Sequence, residues 1–182
     1  FHFTSKGSLD KMPDEVGIIL SDGTNFGVYV GGGEVIFASE ELGYVTKEKV
    51  ADGTWNSWSS ISGAAYNTDI SFDEYDEKKK NNLGLVQWAI QAHEAGWGYI
   101  YGTYGNVLTE NLLQDRAAVF GSEVTDYMDF IRQNWIGKRT ADCVGLIKGY
   151  GWYDSASGEI MVGTNSMMDV GANAMFSNAT VK

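Results

Sequence analysis

The feature that most restricts the fold is a series of short β-rich segments separated by tight turns. Residues 16–20, 26–30 and 34–38 are rich in β-branched and aromatic residues, and S-D-G-T and G-G-G lie between them. Such short connections join antiparallel neighbours, because parallel strands need a long crossover. The pattern predicts an antiparallel meander, to which residues 42–47 add a fourth strand.

The turn between the second and third predicted strands sets their register. If residues 31–33 form a tight glycine turn, Gly27 lies opposite Phe37 and Asn25 lies opposite Ser39. Asn25 and Phe37 then share one face of the sheet as diagonal neighbours.

The only cysteine, Cys143, lies in the segment T-A-D-C-V-G-L-I-K-G-Y-G-W at residues 140–152. Leu146, Ile147 and Tyr150 follow it at helical spacing, which places Cys143 in the first turn of a helix with an inward apolar face. At a helix start, free N–H groups and the positive end of the dipole favour the thiolate needed for nucleophilic attack. A lone cysteine is also commonly a small buried apolar residue, so the local pattern leaves both roles open.

The chain is predicted to be a single domain of 182 residues. Residues 1–66 carry the strand patterns and residues 81–182 the helical patterns. The segment 67–80 is first acidic and then basic, which predicts a solvated linker between the two halves. Because the chain does not begin with Met, we expect a processed or excised piece of a longer protein.

Charge and hydropathy exclude several classes of partner. The net charge of -11 argues against nucleic acid and against anionic membranes. No apolar run reaches the roughly 20 residues of a transmembrane helix, so no membrane insertion is expected. His2 and His93 are far apart in the sequence, and with one cysteine they lack the spacing of a metal site, so neither metal nor cofactor is predicted.

Four segments of the chain resemble one family. Residues 142–150, D-C-V-G-L-I-K-G-Y, resemble D-C-S-G-L-I-K-G-Y, and residues 96–103, G-W-G-Y-I-Y-G-T, resemble G-W-P-Y-V-W-G-T. Residues 25–38 resemble H-V-G-V-Y-I-G-N-G-E-V-I-E-A, and residues 169–180 resemble the segment between the cysteine helix and the strands. The family is the papain-like, NlpC-type cysteine peptidases, which cleave peptide bonds in peptidoglycan.

The resemblance implies a fold and a set of site residues. The fold is α+β, with a central antiparallel sheet of roughly four to six strands on which the cysteine helix packs. Cys143 would be the nucleophile, Tyr99 would lie near the oxyanion site, and Asn25 and Phe37 would hold the positions of the basic histidine and its orienting partner. The residues expected to contact the substrate are Asp142, Trp97, Tyr101 and Ser39.

The order of the segments departs from the family. The family runs from the cysteine helix through the connecting segment to the strands, whereas here the strands come first, which indicates a circular permutation. Residues 3–9 and 176–182 both resemble the same family stretch, so the two ends overlap. An alternative is a tandem array in which each domain is completed by its neighbour, as in domain swapping.

The catalytic positions also depart from the family. An asparagine amide cannot accept a proton near neutral pH, and a phenylalanine cannot orient an imidazole, so Asn25 and Phe37 leave Cys143 without its usual partners. We therefore expect an impaired or inactive form that binds peptidoglycan stem peptides or a protein partner. The alternative is an active peptidase that uses Cys143 with a base from elsewhere. Either function would place the protein outside the cell or at the cell wall.

Overall fold

The computed structural model has an α+β architecture built on a six-strand antiparallel sheet, and it describes residues 3–61, 80–165, 167, 169–177 and 180–181. The predicted linker lies outside these residues except for Lys80. The strands of the antiparallel sheet are β1 (Phe3–Ser8), β2 (Ile19–Ser21), β3 (Phe26–Gly31), β4 (Glu34–Ser39), β5 (Tyr44–Lys49) and β6 (Ser57–Ile61).

The remaining elements lie mainly after the sheet in the sequence. The helices are α1 (Asn82–Glu94), α2 (Glu110–Phe120), α3 (Ser122–Thr125), α4 (Met128–Asn134), α5 (Gly145–Trp152) and α6 (Ala172–Ser177). The short strands are β7 (Tyr104–Val107), β8 (Arg139–Ala141), β9 (Tyr153–Asp154), β10 (Glu159–Ile160) and β11 (Thr180–Val181). β7 pairs with β8, and β9 pairs with β10. In the part of the chain described, no helix is long and apolar enough to cross a bilayer.

The sheet has the order β1-β6-β2-β3-β4-β5, and β11 adds to the free edge of β1 in parallel. The predicted antiparallel meander is confirmed, and Gly27 pairs with Phe37 as expected. The turn differs in detail, because Gly31 rather than Val30 pairs with Glu34 and an irregularity precedes it. Residues 1 and 182 are outside the described residues, but the strands nearest them, β1 and β11, are neighbours.

Two of the six strands of the antiparallel sheet lie outside the predicted meander. They are β1 (Phe3–Ser8) and β6 (Ser57–Ile61), and Trp58 lies in β6. Both segments are dominated by serine and other polar residues, so their hydrophobic alternation is weak. They pair with each other, with Thr4 and Ser60 bonded through their hydroxyls at 3.0 Å.

The two faces of the sheet carry separate apolar clusters. The first cluster joins one face to α1 and α5 and includes Phe26, Val28, Ile36, Leu146 and Ile147. The second cluster covers the opposite face and consists of Ile18, Leu20, Tyr29, Val35, Phe37, Trp55 and Trp58. Because strand residues alternate between faces, neighbours such as Ile36 and Phe37 belong to different clusters.

The cysteine helix α5 approaches the backbone of β7 closely through two glycines. A side-chain carbon at Gly145 would overlap the carbonyl oxygen of Thr103, and one at Gly149 would overlap the carbonyl oxygen of Tyr104. The four-residue spacing puts both glycines on one helix face. The partner is the β7–β8 ribbon. The segment at residues 96–103, which we call the aromatic loop, leads into β7, and β8 leads to the start of α5.

Gly149→Ala is predicted to destabilise the protein by about 1–3 kcal/mol, because the added methyl group forces α5 away from β7. The free energy of unfolding in urea measures this change. Gly171→Ala is the matched control, since a carbon added there meets nothing within 4 Å. Equal stability of Gly149→Ala and the unmodified protein would contradict the close packing described here.

Candidate active-site groove

Asp142 forms the start of the cysteine helix. Its carbonyl oxygen accepts the N–H of Leu146 at 3.0 Å, and its carboxylate accepts the N–H of Gly145. This is the arrangement of a helix N-cap, which satisfies N–H groups that have no partner within the helix. Cys143 follows in the turn directly before α5, and the cap fixes its position.

The same carboxylate ties the helix to the aromatic loop. The second oxygen of Asp142 accepts the N–H of Gly102 at 2.8 Å. Burial raises the pKa of Asp142, while the hydrogen bonds from Gly102 and Gly145 act in the opposite direction. Asp142 therefore holds together the helix start and the loop that surround Cys143.

The Cys143 thiol is poorly activated. It is half-buried, and burial together with the negative charge of Asp142 raises its pKa to about 12. The N–H groups of Val144 and of Cys143 itself favour the thiolate, but they do not outweigh these two effects. The sequence had indicated a helix start that favours the thiolate; here desolvation and a like charge dominate.

Cys143 lines an open groove of about 860 Å³. The groove is bounded by the β2–β3 turn, the aromatic loop, α2, the start of α5 and the segment leading into α6. Its lining side chains include Thr24, Tyr101, Tyr104, Arg116, Phe120, Asp142, Cys143, Lys148 and Asp169. The mixture of aromatic rings with both signs of charge suits a peptide-like ligand better than a purely apolar one.

The structure brings four of the predicted site residues together. Cys143, Asp142 and Tyr101 line the groove. Tyr99 lies beside them, with its ring edge-on to Tyr101 at a centroid distance of 5.7 Å. Burial raises the pKa of Tyr99 well above its usual range, and the proximity of Cys143 adds to the effect. Tyr99 is therefore a neutral phenol beside the thiol.

The side chain of Asn25 points into the β2–β3 turn, where it bonds to Asp22. Its side-chain amide donates to Asp22 at 2.9 Å, and Asp22 also accepts the hydroxyl of Thr54 at 2.9 Å. Partial burial opposes ionisation of Asp22, but hydrogen bonds from Asn25, Thr24 and Thr54 outweigh it and lower its pKa. Gly23 and Thr24 reach the groove, whereas Asn25 is not among the described residues that line it.

Phe37 lies on the face of the sheet that carries the second cluster. Its ring is edge-on to Trp55 at a centroid distance of 5.2 Å. Cys143 packs against the first cluster, on the other side of the sheet. The structure therefore does not bring Phe37 to the thiol, and its observed contacts are those of a core residue.

Trp97 and Ser39, both expected to contact a substrate, have structural contacts instead. Trp97 is buried and stacks edge-on with Trp88 at 5.0 Å. Ser39 is buried, and its hydroxyl accepts the N–H of Leu42 at 3.2 Å, which stabilises the β4–β5 turn. Neither residue lines the groove among the residues described.

Sequence reasoning missed three charged residues of the groove, namely Lys148, Asp169 and Arg116. Lys148 is buried to 3 % exposure within α5, and its ammonium group pairs with Asp169 at 2.7 Å. It also lies 5.0 Å from the ring centre of Tyr104. Arg116 reaches the groove from α2 and donates to the carbonyl of Gly102 at 3.2 Å. A lysine inside the apolar stretch G-L-I-K-G-Y was the signal, because a buried ammonium requires a partner.

His93 lies near the end of α1, with Nδ1 3.4 Å from the carbonyl oxygen of Val45. It does not line the groove. His2 lies outside the described residues. Within the described ranges, no three His, Cys, Asp or Glu side chains are grouped to hold a metal ion.

Comparisons with family models, curated proteins and solved structures found no match for this chain. The resemblance to the NlpC-type peptidases therefore rests on the four sequence segments alone.

The raised pKa predicts slow alkylation of Cys143 at neutral pH, with a rate that keeps rising beyond pH 9 as the thiolate forms. Iodoacetamide labelling followed by mass spectrometry across this pH range measures the effect. The same chain unfolded in urea is the control, because its exposed thiol titrates near the ordinary value of about 8.5. Fast labelling of the folded protein below about pH 7 would reveal an activating base.

Proposed function

We propose that this protein is a catalytically impaired relative of the NlpC-type peptidases, and that its groove binds peptides of the cell wall or a protein partner without cleaving them. The observation that carries the proposal is the state of Cys143. A thiol with a pKa of about 12 is almost entirely protonated at neutral pH, and the thiolate is the nucleophile.

In the part of the chain that the structure describes, no imidazole lies beside the thiol, which supports the same function. A cysteine peptidase needs a group that takes the thiol proton and later protonates the leaving amine. Among the described residues, Cys143 has no hydrogen bond to an imidazole, since His93 contacts Val45 instead. At the position of the family histidine, the Asn25 amide is held by Asp22. Substrate cleavage would then lack both the activation of the nucleophile and the proton for the leaving group.

The groove itself retains features suited to binding. Tyr101, Tyr104 and Phe120 offer rings for apolar side chains, and Arg116 and the partly exposed Asp169 offer partners for charged groups. An extended peptide carries both kinds of group and exposes amides that need hydrogen bonds. We place such binding at the bacterial cell wall, outside the cell, on the strength of the sequence resemblance.

The pairing of β1 with β11 supports the proposal that the chain is a circularly permuted NlpC-type domain. Residues 3–9 and 176–182 resemble one family stretch, and strands from both copies lie side by side in parallel. A permutation by tandem duplication and trimming would leave such a repeat at the junction, provided that the original ends lie near each other.

The proposed function predicts how the protein behaves on purified sacculi. The unmodified protein is expected to sediment with sacculi while releasing muropeptides no faster than Cys143→Ala. Val119→Trp, which fills the groove, should weaken sedimentation by about tenfold. Val107→Trp is the matched control, because Val107 is an exposed valine that does not line the groove.

Two results would contradict the proposal. If the unmodified protein releases muropeptides and Cys143→Ala does not, the protein is an active peptidase with a base from elsewhere, and His93 is the first described residue to mutate. If the protein neither binds sacculi nor releases muropeptides, the cell-wall ligand is wrong.

A separate prediction concerns residue 25, the position that the family's basic histidine would hold. Asn25→His alone should leave muropeptide release at the Cys143→Ala background, because Asp22 would hold the imidazole as it now holds the amide. Adding Phe37→Glu should lower stability rather than restore activity, because it buries a carboxylate against Trp55. Release by Asn25→His at more than about tenfold background would show that residue 25 does reach the thiol.

A further inference from the structure

A second, smaller pocket lies near the groove and shares none of its described lining residues. It is formed by the β4–β5 turn, the aromatic loop and the helices α3 and α4, and its space is about 50 Å³. The lining residues are Glu40, Gly43, Tyr99, Ile100, Glu123, Tyr127, Phe130 and Ile131. We call it the α4 pocket.

The α4 pocket combines exposed rings with unneutralised carboxylates. Tyr127 is 59 % exposed and Phe130 is 48 % exposed, so both rings offer apolar surface to a ligand. Glu40 accepts only the hydroxyl of Tyr101, at 3.3 Å, and neither Glu40 nor Glu123 forms an ion pair with any described residue. Two carboxylates that meet aromatic rings in one concave site favour a cation with an apolar stem.

The size of the α4 pocket selects the shape of that cation. The space of about 50 Å³ is well below that of a cavity that accepts benzene, about 150 Å³, so a thin chain fits the pocket better than a ring does. An anion would be repelled by Glu40 and Glu123. A neutral apolar chain would shield the two carboxylates from water without offering them a hydrogen bond or a charge. Such desolvation of an unpaired charge costs free energy.

We propose that the α4 pocket binds the alkylammonium end of a lysine-type side chain presented by a peptide. The methylene groups pack against Phe130 and Ile131, and the ammonium group is bound by the carboxylates of Glu40 and Glu123 with the ring of Tyr127 nearby. The site requires no chemistry at Cys143, so it does not depend on the function proposed for the groove.

The closing experiment titrates the protein with Nα-acetyl-lysine methylamide and follows the backbone amides by NMR. Shifts are expected in residues 40–43 and 123–131. Nα-acetyl-norleucine methylamide, which keeps the chain but lacks the ammonium group, should bind at least about tenfold more weakly. Glu40→Gln combined with Glu123→Gln should weaken binding of the lysine probe by about tenfold.

Two controls make the result specific. Asp129→Asn removes an acidic side chain that is 97 % exposed on α4 and outside the pocket, and it should change binding less than about twofold. Cys143→Ala should leave the binding of the lysine probe unchanged. Equal binding of the norleucine probe, an equal loss in Asp129→Asn, or shifts confined to other residues would each overturn the proposal.

Discussion

The site depends on one buried carboxylate. Asp142 accepts the N–H of Gly102 with one oxygen and the N–H of Gly145 with the other, and its carbonyl receives the first hydrogen bond of α5. These bonds fix the aromatic loop against the helix start, with Gly145 and Gly149 allowing the close approach. The same negative charge, next to a half-buried thiol, opposes formation of a thiolate. One residue thus both builds the groove and limits its chemistry.

The groove and the β2–β3 turn show why a position at a helix start does not by itself activate the Cys143 thiol. Activation requires a nearby cation or base, since the N–H groups at a helix start lower a thiol pKa only in part. Here the turn that would carry the base is organised around Asp22, which holds Asn25 away from the groove. The groove and the turn are each held by their own hydrogen bonds, to Asp142 and to Asp22. Among the described residues, no hydrogen bond connects the Asn25 amide to Cys143.

The sequence predicted the parts of the fold that have strong local signals. The β3–β4 register followed from the short glycine turn, and a helix beginning at Cys143 followed from helical spacing, although α5 begins two residues later, at Gly145. Phe3–Ser8 escaped prediction because a strand rich in serine and threonine depends on its partner rather than on its own hydrophobic pattern. The orientation of Asn25 also could not be predicted, because it results from a side-chain hydrogen bond within the S-D-G-T turn.

The central claim is that burial and Asp142 keep Cys143 protonated. The most direct measurement follows the 13Cβ chemical shift of Cys143 with pH in the unmodified protein and in Asp142→Asn. The account predicts that the unmodified thiol ionises near 12 and that removal of the charge moves ionisation to lower pH. Ionisation of the unmodified thiol below about pH 7, in the range of activated cysteines, would contradict it.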